Sequence, residues 1–178
     1  MKNQENAPMR YLIRATSGKG DAELLDQAGT PAASIQYEGW MSNRAWGKAG
    51  GQDFEIRPKN KWWSGFYILV NGDLTGEITF NWKLDAIIRM PGFQQQECAY
   101  RLKPSGFFTQ RLVLEDEIKD SILTLTPKLR WFAMYFDYQV RLQETQYLET
   151  PVELMLMICT YAANIMQRRK SLAASGGA

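Results

Sequence analysis

Residues 152–166 read VELMLMICTYAANIM, and this stretch decides the fold class that the sequence predicts. It is apolar all round, because only Glu153, Thr160 and Asn164 interrupt it. Thr150-Pro151 supplies a helix cap and a first helical residue directly before it. A helix that is apolar on every face must be buried on nearly every face. The stretch is also too short for a membrane span, which takes roughly twenty residues.

The chain before this stretch, from Arg10 to Gln143, alternates between apolar and polar residues with a period of two. Such alternation is typical of antiparallel strands with one face on a core. Turn-forming segments separate the runs, and Asn71-Gly72-Asp73 is the clearest hairpin signal. We therefore expect roughly eleven or twelve short strands. The core-facing residues of four clear runs are Tyr11, Ile13 and Ala15; Ile78, Phe80 and Trp82; Cys98, Tyr100 and Leu102; and Tyr138, Val140 and Leu142.

A buried helix in a chain of antiparallel strands has its natural place inside a closed barrel. The sequence accordingly predicts a mainly β fold, a closed antiparallel barrel of about 12 strands around the C-terminal hydrophobic helix Val152–Met166. No linker divides the chain, so residues 9–170 are expected to form a single domain, with flexible tails at 1–8 and 171–178. The main alternative is a lipocalin-like cavity with the helix outside, which would require a broad polar face on the helix.

The composition excludes most familiar enzyme classes. The chain has no histidine, and this removes the usual general base of catalytic triads and the commonest metal ligand. The two cysteines, Cys98 and Cys159, cannot complete a zinc site. We therefore expect no enzymatic activity, catalytic residue, metal or cofactor. The net charge of +2 is spread evenly along the chain, so nucleic acid is not expected as a partner.

The candidate binding segment is residues 57–63, which read RPKNKWW. If the segment is extended, its three cations point the same way and two tryptophans follow them. Cations beside amphipathic rings suit an anionic membrane surface. The alternative is structural, with solvated lysines and tryptophans that plug one end of the barrel. The predicted ligand-binding residues are Arg57, Lys59, Lys61, Trp62 and Trp63.

Many short antiparallel strands followed by one C-terminal apolar helix resemble the tubby C-terminal-like superfamily, which includes tubby proteins, phospholipid scramblases and plant LURP-one-related proteins. The matching stretches are the hairpin from Leu24 to Ile35, the strand start Gly76-Glu77-Ile78 and the helix Val152–Met166, and the resemblance covers Met9 to Lys170. It implies a barrel of about twelve strands around a central helix. Members of the superfamily bind phosphoinositides or act at membranes. No stretch matches the acidic calcium-binding segment of scramblases, so calcium dependence is not implied.

The expected function is a non-catalytic binding module for anionic lipid or a membrane surface. The N-terminal residues 1–9 carry no apolar signal-peptide run, so a cytoplasmic protein, peripheral at a membrane, is expected. The alternative is a structural or protein-interaction protein. It rests on Leu129–Phe136, a predicted strand that is apolar on both faces. That protein would bind a protein partner or form a homodimer through Trp131–Phe136.

Overall fold

Twelve antiparallel strands and one helix make up the described part of the chain. The computed structural model describes residues 10–40, 42–60, 64–91, 97–106, 111–118, 120–128, 136–143, 148 and 150–175. The strands are β1 (Arg10–Ala15), β2 (Ala22–Leu25), β3 (Pro31–Tyr37), β4 (Ala45–Ala49), β5 (Gln52–Pro58), β6 (Gly65–Val70), β7 (Asp73–Phe80), β8 (Ala86–Pro91), β9 (Glu97–Ser105), β10 (Arg111–Glu115), β11 (Ser121–Lys128) and β12 (Asp137–Leu142), and the helix is α1 (Val152–Ser175).

The strands form a closed barrel in which each strand pairs with its neighbours in sequence. The barrel closes between β1 and β12, where Tyr11 lies opposite Val140 and Ile13 lies opposite Tyr138. The predicted closed antiparallel barrel with a single C-terminal helix is therefore confirmed. Because closure pairs both sides of every strand, none of these twelve strands presents a free edge to another chain.

The connection between β6 and β7 is the tight hairpin that the sequence predicts. Asn71 and Gly72 both have positive φ, at 51° and 90°. Two such residues in succession give the backbone twist that matches a right-handed pair of strands. The Asn71 N–H also donates to the Asp53 carbonyl oxygen at 2.8 Å, and this bond ties the hairpin to β5.

Helix α1 runs through the inside of the barrel, as the all-round apolar pattern predicts. Every residue from Leu154 to Met166 is at most 3% exposed. The first helical hydrogen bond runs from the Met155 N–H to the Pro151 carbonyl, and the helix begins at Val152, where the sequence predicts its start. This burial on all faces excludes the lipocalin-like alternative, in which the helix would lie outside.

The helix lies off-centre, against the wall formed by β2, β3 and β4. The inward positions of β4 alternate as Ala45, Gly47 and Ala49, and these small residues let the helix approach closely. The far wall carries larger inward side chains, which fill the remaining space. Among them are Ile88, Met90, Leu102, Leu114, Leu123 and Leu125, all buried.

The polar groups of the buried helix have partners inside the barrel. The Tyr161 hydroxyl donates to the Asn43 carbonyl at 2.6 Å, and the Thr160 hydroxyl donates to the Leu156 carbonyl at 2.7 Å. The Asn164 amide donates to the Gly20 carbonyl and to the Tyr37 hydroxyl, each at 3.2 Å. A buried polar group without a partner is costly, so the bonds from Tyr161 and Asn164 to the wall specify both the depth and the rotation of the helix.

Two segments differ from their predicted boundaries. The helix continues to Ser175 rather than ending at Met166, so residues 171–175 of the expected tail are helical. The other segment is the predicted strand Leu129–Phe136. The flanking strands end at Lys128 and begin at Asp137, which leaves Phe136 outside both of them. Residues 129–135 of that segment lie outside the described residues.

Candidate functional site

The end of the barrel where the helix leaves is rich in exposed aromatic and basic residues. We call this end the exit rim; its described residues are 16–21, 38–40, 42–44, 59–60, 64, 81–85, 106, 136 and the helix from Gln167 onward. Arg168 joins the helix to two of these connections. Its guanidinium donates to the Lys19 carbonyl at 2.7 Å and to the Ser42 carbonyl at 3.0 Å. The exit rim therefore brings together loops that are far apart in sequence.

Two of the five predicted ligand-binding residues lie in the described part of the chain. Arg57 is exposed on the outer face of β5, opposite Tyr67 of β6. Lys59 follows the end of β5, and its backbone N–H donates to the Gly65 carbonyl at 2.9 Å. The other three, Lys61, Trp62 and Trp63, lie outside the described residues. They belong to the connection whose described flanks, Asn60 and Ser64, join at the exit rim by a side-chain hydrogen bond of 2.8 Å.

Lys59 is held by an ion pair on the barrel wall. Its Nζ pairs with the Glu77 carboxylate and lies 5.0 Å from the centre of the Tyr67 ring. Glu77 also accepts from Arg89 at 2.9 Å. The hydrogen bond from Lys59, together with the charge of Arg89, lowers the pKa of the Glu77 carboxyl below its ordinary value. Of the two described predicted cations, Arg57 alone has no ion pair among the described residues, so it is the better candidate for an external anion.

We expect the Glu77 ion pairs to contribute stability at neutral pH. A carboxyl with a lowered pKa contributes fully above its ordinary value of 4.5, and the contribution is lost as the pH falls through the lowered pKa. The Glu77→Gln variant should therefore be about 1 kcal/mol less stable than the wild type at pH 7. This difference should shrink as the pH falls below 4.5. Urea unfolding of both proteins across this pH range measures the difference in stability. An equal difference at every pH would contradict the contribution that we assign to the Glu77 ion pairs.

Trp82 lies on the surface, although the alternation of its segment predicted that it would face the core. The predicted strand through Trp82 ends at Phe80, and the Trp82 side chain is 86% exposed. The Asn81 side chain stops the strand, because its Oδ1 accepts from the backbone N–H groups of Lys83 and Asp85 at 2.9 Å each. Lys83 Nζ lies 4.9 Å from the centre of the Trp82 ring. At this position the turn-forming residue Asn81 correctly predicts the end of the strand, whereas the alternation does not.

Trp40 lies on the same rim in the connection between β3 and β4. Its side chain is 65% exposed, although the ring passes close to Gly18 of the β1–β2 connection. A side chain at position 18 would overlap the ring, since a Cβ there would lie 2.8 Å from it. The glycine thus lets the ring rest on the neighbouring loop. Trp40 and Trp82 together give the exit rim two exposed indoles.

Two cations of the helix, where it leaves the barrel, have structural contacts. The Arg168 guanidinium lies 4.9 Å from the centre of the Tyr37 ring, in addition to its bonds to the rim loops. The Arg169 guanidinium lies 4.2 Å from the centre of the Phe80 ring, and burial lowers the pKa of this group. Lys170 is exposed. These contacts of Arg168 and Arg169 therefore hold the helix against the exit rim.

The described residues carry little that resembles catalytic machinery. Burial raises the pKa of the Cys159 thiol, which fits a core residue rather than a nucleophile. Among the described residues, no group of three histidine, cysteine or carboxylate side chains is placed to hold a metal ion. Within the same part of the chain, no helix combines the length and the apolar character that a membrane crossing requires.

The apolar segment Trp131–Phe136 is described only at Phe136. That side chain is half-buried, and its ring meets the Tyr138 ring edge to face with 6.3 Å between the centres. Phe136 thus packs against the barrel itself. Residues 131–135 lie outside the described residues, so the protein-partner hypothesis stays a prediction.

Comparison with known proteins relates the chain to others by fold. No family model and no curated protein matches the sequence. The X-ray structure of the Arabidopsis thaliana protein AT5G01750 is similar, with a TM-score of 0.59 and 12% sequence identity. The match covers 89% of this chain and 93% of that one. At this identity the match shows the fold alone: the chain has the architecture of the Arabidopsis protein over most of its length.

Proposed function

We propose that the protein is a non-catalytic module that binds an anionic membrane surface through the exit rim. The observation that carries the proposal is the pair of exposed indoles at one end of the barrel, with Trp82 86% and Trp40 65% exposed. Indole rings favour the boundary between lipid headgroups and acyl chains. We propose that the two rings on this rim insert at that boundary.

Basic residues near the two indole rings support the same membrane-binding surface. Lys83 lies beside Trp82, and Arg57 is exposed on the wall below the rim without a described ion-pair partner. Each basic residue near an anionic membrane contributes about 1 kcal/mol of attraction, which salt screens. In the proposed contact, Lys61, Trp62 and Trp63 act with these groups. Lys59 contributes less, since Glu77 already neutralises its charge.

We also propose that the chain belongs to the tubby C-terminal-like superfamily. Support comes from the closed barrel of twelve strands around a C-terminal helix and from the similar fold of the Arabidopsis protein. Because members of this superfamily bind phosphoinositides or act at membranes, this membership agrees with a peripheral, cytoplasmic location at a membrane.

Flotation with lipid vesicles tests the membrane proposal. Vesicles of phosphatidylcholine alone are compared with vesicles that also contain phosphatidylserine, at low and at high salt. We expect binding to the anionic vesicles only, weakened by salt. Trp82→Ala should lower the affinity at least about tenfold, because burying a large apolar side chain contributes about 1.5–3 kcal/mol.

Leu74→Ala is the control. Leu74 is 64% exposed near the start of β7, at the end of the barrel opposite the rim, so its loss should leave vesicle binding unchanged. Equal losses in the Trp82 and Leu74 variants, or no binding to anionic vesicles at low salt, would contradict the proposal. Alanine at Trp62 and Trp63 separates the two interpretations of that pair. Lost stability supports a plug, whereas lost binding in a folded protein supports membrane contact.

A further inference from the structure

A groove of about 830 Å³ crosses the outer wall of the barrel over β10, β11, β12 and β1. The turn between β2 and β3 borders it at one end. Strand alternation turns its polar side chains outward, because their neighbours Leu112, Leu125 and Val140 are buried. The polar side chains that line the groove are Arg111, Thr124, Thr126, Lys128, Gln139 and Arg141.

The groove has a strong positive charge. Arg111, Lys128 and Arg141 are all exposed, and none of their side chains has an ion pair or hydrogen bond to another described residue. Other cations on nearby strands are paired: Arg14 with Glu23 at 3.0 Å, and Lys103 with Glu115 at 2.8 Å. Three unpaired cations around one concave surface concentrate the positive potential there.

One carboxylate, Asp26, is present among the described residues that line the groove. Its Oδ1 accepts from the backbone N–H groups of Ala28 and Thr30, each at 2.8 Å. These bonds hold the carboxylate in its own turn between β2 and β3. The groove therefore keeps an excess of positive charge after Asp26 is counted.

We infer that this groove binds a small phosphorylated molecule from solution. Guanidinium groups grip phosphate through paired hydrogen bonds, and a lysine adds a point charge. Thr124, Thr126 and Gln139 add hydroxyl and amide donors between the cations. The volume lies in the range of roughly 300–1,000 Å³ that is typical of small-molecule sites, so the groove accommodates an organic phosphate.

The groove is separate from the proposed membrane contact. Strands β5 and β11 are six places apart around the twelve-stranded barrel, so Arg57 and Lys128 lie on opposite walls. The exposed indoles of Trp40 and Trp82 are also absent from the described lining of the groove. Arg111 and Lys128 lie at the exit-rim ends of β10 and β11, but Arg141 and the turn between β2 and β3 carry the groove to the opposite end of the barrel, so a protein docked by its exit rim would keep most of the groove in water. A soluble phosphate therefore fits the groove better than a lipid headgroup, although both share the same phosphate chemistry.

Titration of inorganic pyrophosphate into the isotope-labelled full chain, followed by NMR, tests the inference. We expect shifts of the backbone amides of Thr124, Thr126 and Gln139. Arg111→Gln and Arg141→Gln should each weaken binding about tenfold or more, as expected for a lost charge-assisted hydrogen bond. Lys48→Gln is the control, because Lys48 is an exposed cation on β4 and its loss changes the net charge equally. It should weaken binding far less.

Vesicles that contain phosphatidylinositol 4-phosphate form the second arm. Vesicle binding that depends on Arg111 and Arg141, without any response to pyrophosphate, would overturn the assignment to a soluble ligand. Absent amide shifts together with vesicle binding that does not depend on Arg111 and Arg141, or equal weakening by Lys48→Gln, would overturn the site itself. Trp82→Ala should leave pyrophosphate binding unchanged, so failure of the groove and failure of the membrane proposal are distinguishable.

Discussion

Replacing Tyr161 with alanine is expected to lower the free energy of unfolding by about 3–5 kcal/mol. Its ring stacks on Tyr37 with 5.7 Å between the centres, and it meets Phe66 edge to face at 5.3 Å. The side chain is fully buried between the helix and the wall of the barrel. Its loss would leave a cavity that the closed barrel cannot collapse to fill, because every strand is paired on both sides.

Tyr161→Phe separates the ring from its hydroxyl. This variant keeps the aromatic contacts but leaves the Asn43 carbonyl without its 2.6 Å donor. A buried acceptor that loses its partner costs about 1–3 kcal/mol, so the phenylalanine variant should be clearly more stable than the alanine variant. Urea unfolding followed by tryptophan fluorescence measures both. If the two variants were equally destabilised, the packing of the ring would not be the main contribution.

Gly47→Ala is expected to destabilise the barrel by about 3 kcal/mol. A Cβ at this inward position of β4 would overlap the Ser34 carbonyl oxygen of β3 and lie 2.8 Å from the Phe54 ring. The carbonyl belongs to the strand that pairs with β4, so it cannot move away without disturbing the β3–β4 ladder. Elsewhere in a strand, alanine is favoured over glycine by about 0.5–1 kcal/mol, so the expected sign is the reverse of the usual one.

Gly39→Ala is the matched control for this substitution. Gly39 lies in the connection between β3 and β4, and a Cβ there meets nothing within 4 Å. Its loss should change the free energy of unfolding by less than about 0.5 kcal/mol. Thermal unfolding of both variants checks the pair, since 1 kcal/mol corresponds to about 2–4 °C in a domain of this size. A similar shift in the two variants would contradict the role assigned to the close approach at Gly47.

The main features of the fold followed from local pattern because the strands alternate with a period of two and the helix is apolar on every face. Alternation predicted the inward positions of Ile13, Tyr100 and Val140, all of which are buried. The alternation gave a wrong prediction where a local side-chain hydrogen bond ends the strand. The Asn81 side chain ends β7 two residues before Trp82, which turns a predicted core residue into the most exposed tryptophan of the described chain.

The candidate sites were only partly accessible from sequence. The segment at 57–63 was visible because its cations and tryptophans are consecutive. The ion pairs around Lys59 were not visible, since its partner Glu77 lies on β7 and the second partner of Glu77, Arg89, lies on β8, and strand register brings the three together. The groove cations are similarly dispersed over three strands, and Arg141 reaches the same wall as Arg111 only because β11 lies between β10 and β12.

By itself, the sequence determined that the chain would be a barrel filled by its own helix, because an all-round apolar helix and a series of alternating strands can hide their apolar faces only together. Tertiary structure decided which polar and charged groups meet. Those meetings depend on register and closure, which place Lys59 beside Glu77, and Arg111 and Arg141 on one wall, although the chain separates them. Whether the cations of a wall are neutralised therefore depends on this placement, and no local sequence pattern predicts it.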